Sequence, residues 1–234
     1  MADPQAGRRL TLYGRRRGRR LRAGQQELLS TMLPKLEIAL PESGGLLDLA
    51  ALFGPPTREV WLEIGFGGGE HLAAQAKEHP GIGLIGAEFF VNGVASLLGH
   101  LTRRAIGNVR IYPGDARPLL SALPDRSIGR AFLLFPDPWP KARHARRRFL
   151  TRGNLAELAR ILGDGAELRI ASDDPAYVAW TLEQIHRCPH FEWLAQGPVD
   201  WRQPPEDWPA TRYEAKALKA GRRPVYLRFR RRTR

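Results

Sequence analysis

Four carboxylates stand where short apolar runs give way to turns: Glu63 in "LEIGFGGGEHL", Glu88 in "GAEFF", Asp115 in "GDA" and Asp137 in "FPDPWPKARH". Glycines follow the first at alternate positions, Gly65, Gly67 and Gly69. Glycine lets a backbone turn sharply and meet a ligand with no side chain between them. A dinucleotide fingerprint would need a late glycine where Glu70 stands, and that carboxylate would face a pyrophosphate.

An acid followed by alternating glycines suits instead a cationic, phosphate-free ligand with an amino-acid end and a sulfonium, which is the chemistry of S-adenosylmethionine. A plain glycine turn is the competing reading. Glu88 is placed to accept both hydroxyls of a ribose and Asp115 to take the amino group of an adenine; the alternatives are a solvated strand end and a helix cap. Around Asp137 each proline restricts its own φ and the residue before it, so this carboxylate is expected to be held stiffly, with little reorganisation when charge develops nearby. Trp139 either stacks on a displaced base or packs beneath the loop. Lys141, Arg143, Arg146, Arg147 and Arg148 make a cationic apron expected to grip backbone phosphates, with His144 as a phosphate or structural contact rather than a base.

These residues need a frame, and the hydropathy pattern supplies one. From Glu59 the runs "EVWLEI", "IGLIGAE", "NVRIY", "RAFLLF" and "AELRIAS" alternate with helical stretches such as "EHLAAQAKEH" and "LTRGNLAELARILG". Continuous apolar strands separated by helices predict an α/β protein with a doubly wound, mostly parallel sheet covered on both faces. All four acids then fall at the carboxyl ends of strands, where open sheets place ligands. Near the end "FEWLAQ" and "PVYLRF" predict an antiparallel hairpin that closes the sheet. The Pro- and Trp-rich connection between them, 197–221, suits a binding segment.

The 234 residues, 43% of them hydrophobic, suffice for one sizeable domain, 25–234, preceded by a basic arm, 1–24, expected to be flexible. Lys and Arg number 37 against 24 Asp and Glu, and the net charge of +13 implies a polyanionic partner. Arginines cluster between Arg8 and Arg22, between Arg228 and Arg234, and in "KARHARRR". Three clusters together argue for a nucleic-acid surface over solvated tails. The single cysteine, Cys188, has no partner for a disulfide or a metal site and fits a reducing, cytoplasmic compartment. Neither metal nor membrane is expected: the longest apolar region, 82–101, is broken by Glu88, Asn92 and His100. Monomer and homodimer are both left open.

"LEIGFGGGEHL", "GAEFF", "GDA", "FPDPWPKARHARRR", "ASDD" and "TRYEAKALKAG" occur in the order and spacing of bacterial tRNA (guanine-N7-)-methyltransferases, a branch of the class I (Rossmann-like) S-adenosylmethionine-dependent methyltransferases, and "RRRGRRLRAGQQELL" resembles their basic arm. The resemblance covers essentially the whole chain. "PDPWPK" with "TRYE" is specific to that family, whereas the glycine loop marks only the wider superfamily.

The resemblance implies methyl transfer from S-adenosylmethionine to N7 of a guanosine at position 46, in the variable loop of tRNA. Beside Gly65 and Gly67 of the loop, it implies cofactor contacts from Glu63, Glu88, Asp115 and Asp137, with Asp137 also catalytic. It further implies contacts to the tRNA guanosine from Lys141, Asp173, Thr211, Arg212, Tyr213 and Glu214. Asp173 or Glu214 would then accept from the N1 and amino donors of guanine. Ser172 stands where the family usually has threonine, and Ala142 where it commonly has lysine. A methyltransferase of another RNA or of a protein, and a non-catalytic RNA-binding module, are the rival readings.

Overall fold

The computed structural model describes residues 13–234. Seven strands, β1 (Glu59–Ile64), β2 (Ile82–Ala87), β3 (Val109–Tyr112), β4 (Ile128–Leu134), β5 (Leu162–Ser172), β6 (Phe191–Trp193) and β7 (Val225–Arg231), form one sheet in the order β3-β2-β1-β4-β5-β7-β6. β1 to β5 pair in parallel, and β7 enters antiparallel between β5 and β6. This is the predicted mostly parallel sheet with an antiparallel close.

Ten helices are present among the described residues. α1 (Ala23–Thr31), α2 (Leu33–Leu36) and α3 (Leu49–Phe53) precede the sheet. α4 (Glu70–Glu78), α5 (Val91–Arg104), α6 (Ala116–Ala122), α7 (Arg152–Ile161) and α8 (Pro175–His186) alternate with the parallel strands, and α9 (Val199–Arg202) and α10 (Arg212–Lys219) break up the connection before β7. Side-chain oxygens of Asp115, Thr151, Asp174 and Thr211 cap α6, α7, α8 and α10, each accepting a backbone N–H of the first turn.

Side chains alternate across a strand, so each parallel strand feeds two apolar layers. Leu62 and Ile64 of β1 join Ile85, Leu133 and Ile170 on one face. Trp61 joins Leu84, Phe132 and the α5 residues Leu97, Leu98 and Leu101 on the other. Among the described residues no helix is long and apolar enough to cross a membrane.

Both basic ends differ from simple tails. Residues 1–12 lie outside the described residues, so Arg8 and Arg9 do as well. From Tyr13 onward the arm is tied to the start of α5: Val91 N–H donates to Arg16 O at 3.0 Å, Gly18 N–H donates to Asn92 Oδ1 at 2.7 Å, and Asn92 Nδ2 donates to Arg19 O at 2.7 Å. At the other end the run read as a basic tail is engaged in part, with Arg230 and Arg232 left exposed. Arg231 is 4% exposed and donates to Ala159 O at 2.7 Å, Arg234 donates to Ala159 O at 2.6 Å and Leu162 O at 2.9 Å, and Arg228 pairs with Glu167. β7 runs inside the sheet, so its arginines are drawn to the orphan carbonyls at the end of α7.

The connection before β7 is anchored by charge. Arg169, 3% exposed, donates to Glu167 at 2.9 Å and to Asp207 at 2.7 Å, and Arg130 reaches Asp207 at 2.9 Å. Burial alone would raise the Glu167 carboxyl, but hydrogen bonds and charge from Arg169 and Arg228 overcome it and hold the group below the ordinary value. Asp207 is likewise lowered: desolvation opposes, and the two guanidinium partners prevail.

Candidate active site

A cavity of ≈ 450 Å³ opens at the carboxyl edge of the sheet, where β1, β2 and β4 end. Ile64, Gly65 and Gly67 form one side, Ala87 and Glu88 the next, and Gly114 to Arg117 a third; Phe135, Pro136, Asp137 and Trp139 close over it. Its volume falls within the usual range for small-molecule sites.

Gly65 and Gly67 have φ of +70° and +54°, the left-handed region where a Cβ is penalised. A Cβ built on Gly67 would come 2.8 Å from the Tyr213 ring, and one on Gly93 of α5 would come 2.2 Å from Gly67 O. The loop is therefore clamped between α5 and Tyr213. At Gly65 a Cβ meets nothing within 4 Å and would project into open space. That is a cradle with its backbone bare, as a bound ligand requires.

Glu88, 8% exposed, accepts Gly67 N–H and Phe90 N–H, both at 2.8 Å, and ties β2 to the glycine loop. Burial pushes its carboxyl above the ordinary value; the amides of Phe90 and Gly67 pull the other way, and the Asp137 charge adds to the rise. Asp115 is the cap of α6, and it also holds the Arg117 guanidinium, Nε donating at 2.8 Å. Cap and cavity wall are thus the same residue, so its two readings are compatible. Asp137 is exposed at the mouth.

The proline loop is stiff in an unexpected way. The residues before Pro136 and Pro140, Phe135 and Trp139, take φ of +50° and +43°, although proline favours an extended conformation before it. Non-glycine residues persist there only when their surroundings hold them. Phe135 N–H donates to Ala171 O at 2.8 Å, and the buried Arg148 donates to Pro138 O at 3.0 Å and Trp139 O at 3.3 Å. Arg148 is therefore a staple under the loop, a correction to its place in the phosphate-gripping apron. Lys141, Arg143 and Arg146 are exposed beside the mouth.

Several candidate residues lie apart from the cavity. Glu63 sits one position before Ile64 and so faces the opposite side of β1, where it is 2% exposed and meets His71 Nδ1 of α4 at 2.7 Å. Asp173 pairs with Arg222 at 2.6 Å. Thr211 and Glu214 form the capping box of α10, and Glu214 also accepts the Tyr226 hydroxyl and Trp208 Nε1 at 3.3 Å. Arg212 leans toward Glu70 at 3.7 Å. Of "TRYE", Tyr213 reaches the cavity wall. Tyr13 and Arg15 of the arm also line the cavity. Sequence reasoning passed over them; a lone aromatic inside an arginine-rich run was the available signal.

S-adenosylmethionine fits this donor set. The bare Gly65 backbone can approach it closely, the Glu88 and Asp115 carboxylates could accept from ribose and adenine, and Ile64, Ala87, Ala116 and Leu133 supply apolar walls.

A family model described as "Putative methyltransferase" matches residues 57–227. A tRNA (guanine-N(7)-)-methyltransferase of Rhodospirillum rubrum is 56% identical over 224 residues, 95% of this chain and 88% of its own. One from Paramagnetospirillum magneticum is 53% identical over 230 residues, 98% and 96% of the two chains. The crystal structure of an rRNA methylase from Streptococcus thermophilus shares the fold at a TM-score of 0.51 and 13% identity, over 75% of this chain and 88% of that one. With a family model matched over most of its length and relatives of one name along nearly all of it, this chain belongs to the tRNA (guanine-N(7)-)-methyltransferase family.

Proposed function

We propose that this protein methylates N7 of a guanosine in tRNA, at position 46 of the variable loop. The observation that carries the reading is the position of Asp137: a carboxylate on a rigid loop at the mouth of the cofactor cavity, with Lys141, Arg143 and Arg146 exposed beside it. Relatives named for this reaction support it.

S-adenosylmethionine supplies an electrophilic methyl group. Guanine N7 carries an in-plane lone pair and no proton, so the chain needs no general base. Its task is alignment and compensation of the positive charge that appears on the purine. Asp137, held by the strained Phe135 and Trp139 backbone, offers fixed negative charge near the acceptor. Lys141, Arg143 and Arg146 hold flanking phosphates. His144 is not required as a base, because N7 carries no proton to remove; desolvation and the charges of Arg147, Lys141 and Arg146 hold its imidazole below the ordinary histidine value.

Lys141 and Tyr213 stay in the proposed guanosine site. Asp173 and Glu214, engaged with Arg222 and Tyr226, would enter it only by exchanging partners. Incubation of an unmodified tRNA transcript with labelled donor, followed by nucleoside analysis, tests the assignment. Label is expected in 7-methylguanosine, and to vanish when the position-46 guanosine is replaced. Label in another nucleoside, or in none, overturns it.

A further inference from the structure

Three side chains meet in the wall of the cavity. The Arg147 guanidinium lies 4.7 Å from the Tyr13 ring centroid and 5.0 Å from that of Trp139, and the two rings stand 6.2 Å apart at 70°. All three line the cavity. The next arm residue, Gly14, passes so close that a Cβ there would come 3.5 Å from Asp137 Oδ2. His144 braces the Trp139 ring edge-on at 5.9 Å. Arg147 Nε is buried with no hydrogen-bond partner.

The guanidinium rests on two ring faces while its Nε goes without a hydrogen bond. A phosphate would satisfy it better. The seat itself suits a planar, delocalised group with cationic character. Guanine contains a guanidine unit along N1, C2 and its amino nitrogen, and becomes a cation once N7 is methylated.

We propose that Tyr13 and Trp139 are the two aromatic walls of the guanine-binding cleft, and that Arg147 holds the place of the purine until RNA arrives. This rests on the methylation of guanosine argued above and adds two recognition residues and an exchange to it. On entry of the base, Arg147 leaves the rings for a backbone phosphate. Tyr13 is the wall that swings to admit the base, because it rides on an arm tied down by backbone contacts two or more residues away, whereas Trp139 is locked between prolines. The cleft prefers the methylated, cationic purine over the neutral one, because ring faces attract positive charge.

The test is titration of the full-length protein with 7-methylguanosine 5′-monophosphate and with guanosine 5′-monophosphate, read by tryptophan fluorescence, beside tRNA binding and turnover. Wild type is expected to prefer the methylated nucleotide by about fivefold. Tyr13→Ala should remove the preference, Tyr13→Phe should retain it, and Trp139→Phe should lose most of the signal. Arg147→Ala has the distinguishing outcome: free nucleotides bind more tightly because the seat is empty, while tRNA binds more weakly because a phosphate contact is gone. Affinities that move in the same direction for both ligands, or not at all, overturn the proposal. Active wild-type enzyme with no preference for the methylated nucleotide also overturns it and leaves the proposed activity standing.

Discussion

Glu88 holds Gly67: the carboxylate at the end of β2 accepts the N–H of the glycine loop at 2.8 Å, so the group we propose for ribose is also the one that shapes the cradle. Losing it should damage both. Burial raises the folded pKa of Glu88 above its unfolded value. The stability this group contributes is therefore fully present below the unfolded value and lost as pH rises through the folded one. Ribose hydroxyls donate to the ionised form, so cofactor affinity should strengthen as pH rises across the range just above the ordinary glutamate value. Glu88→Gln should lose that pH dependence and weaken S-adenosylhomocysteine by about tenfold to a hundredfold, the worth of a charge-assisted hydrogen bond. Calorimetry on both proteins reads the result, and a flat profile in the wild type would count against Glu88 as a ribose ligand.

Asp137→Asn should lower kcat by about two to three decades, the typical loss for one preorganised electrostatic group, while tRNA affinity stays within about threefold. Single-turnover rates at saturating tRNA and donor separate the two effects. Activity within a few-fold of wild type would make Asp137 a structural residue of its loop.

The Glu167 network makes a prediction about stability. Its lowered pKa, like that of Asp207, means a contribution present above the unfolded value and lost as pH falls through the folded one. Glu167→Ala removes the one carboxylate that Arg169, Arg130 and Arg228 all share, leaving Asp207 to the first two and no carboxylate pairing for Arg228 among the described residues. It should cost about 3 kcal/mol near neutrality. Urea unfolding should show the gap between variant and wild type closing as pH falls below the ordinary glutamate value.

Asn92 bonds the arm at two points, its side chain accepting Gly18 N–H and donating to Arg19 O. At about 1 kcal/mol for each bond, Asn92→Ala should raise the open population of the arm roughly thirtyfold. Faster tryptic cleavage among Arg15–Arg22 with unchanged S-adenosylhomocysteine affinity is the expected outcome. Equal cleavage rates would mean that the Arg16–Val91 contact suffices alone.

What was legible in the sequence followed local physics. Unbroken apolar runs between helical stretches gave the parallel sheet, and the ends of those runs located Glu88, Asp115 and Asp137 together. Parity along a strand was legible too, and it explains Glu63: if Ile64 faces the cavity, its neighbour must face α4. Thr211-x-x-Glu214 carries a second meaning of the same kind, the capping-box signature, which the structure uses. Contacts between distant segments left no local trace. Nothing in "RRLTLYGRRRGRRLR" announces that Tyr13 folds over the proline loop, because that depends on Asn92 far along the chain. Nothing in "RFRRRTR" announces carbonyl partners on α7, because they follow from where β7 inserts.

That insertion has a consequence for biosynthesis. β7 is the final strand in sequence, yet it separates β5 from β6. Until β7 has been made, β5 is an exposed edge, its backbone groups unpaired on one side, and β6 has no neighbour to join. The parallel strands β1 to β5 can pair before that point, but the sheet closes only when β7 docks between β5 and β6. Arg231 and Arg234 then fasten the closing strand to the end of α7, so their loss would loosen the part of the sheet that forms last.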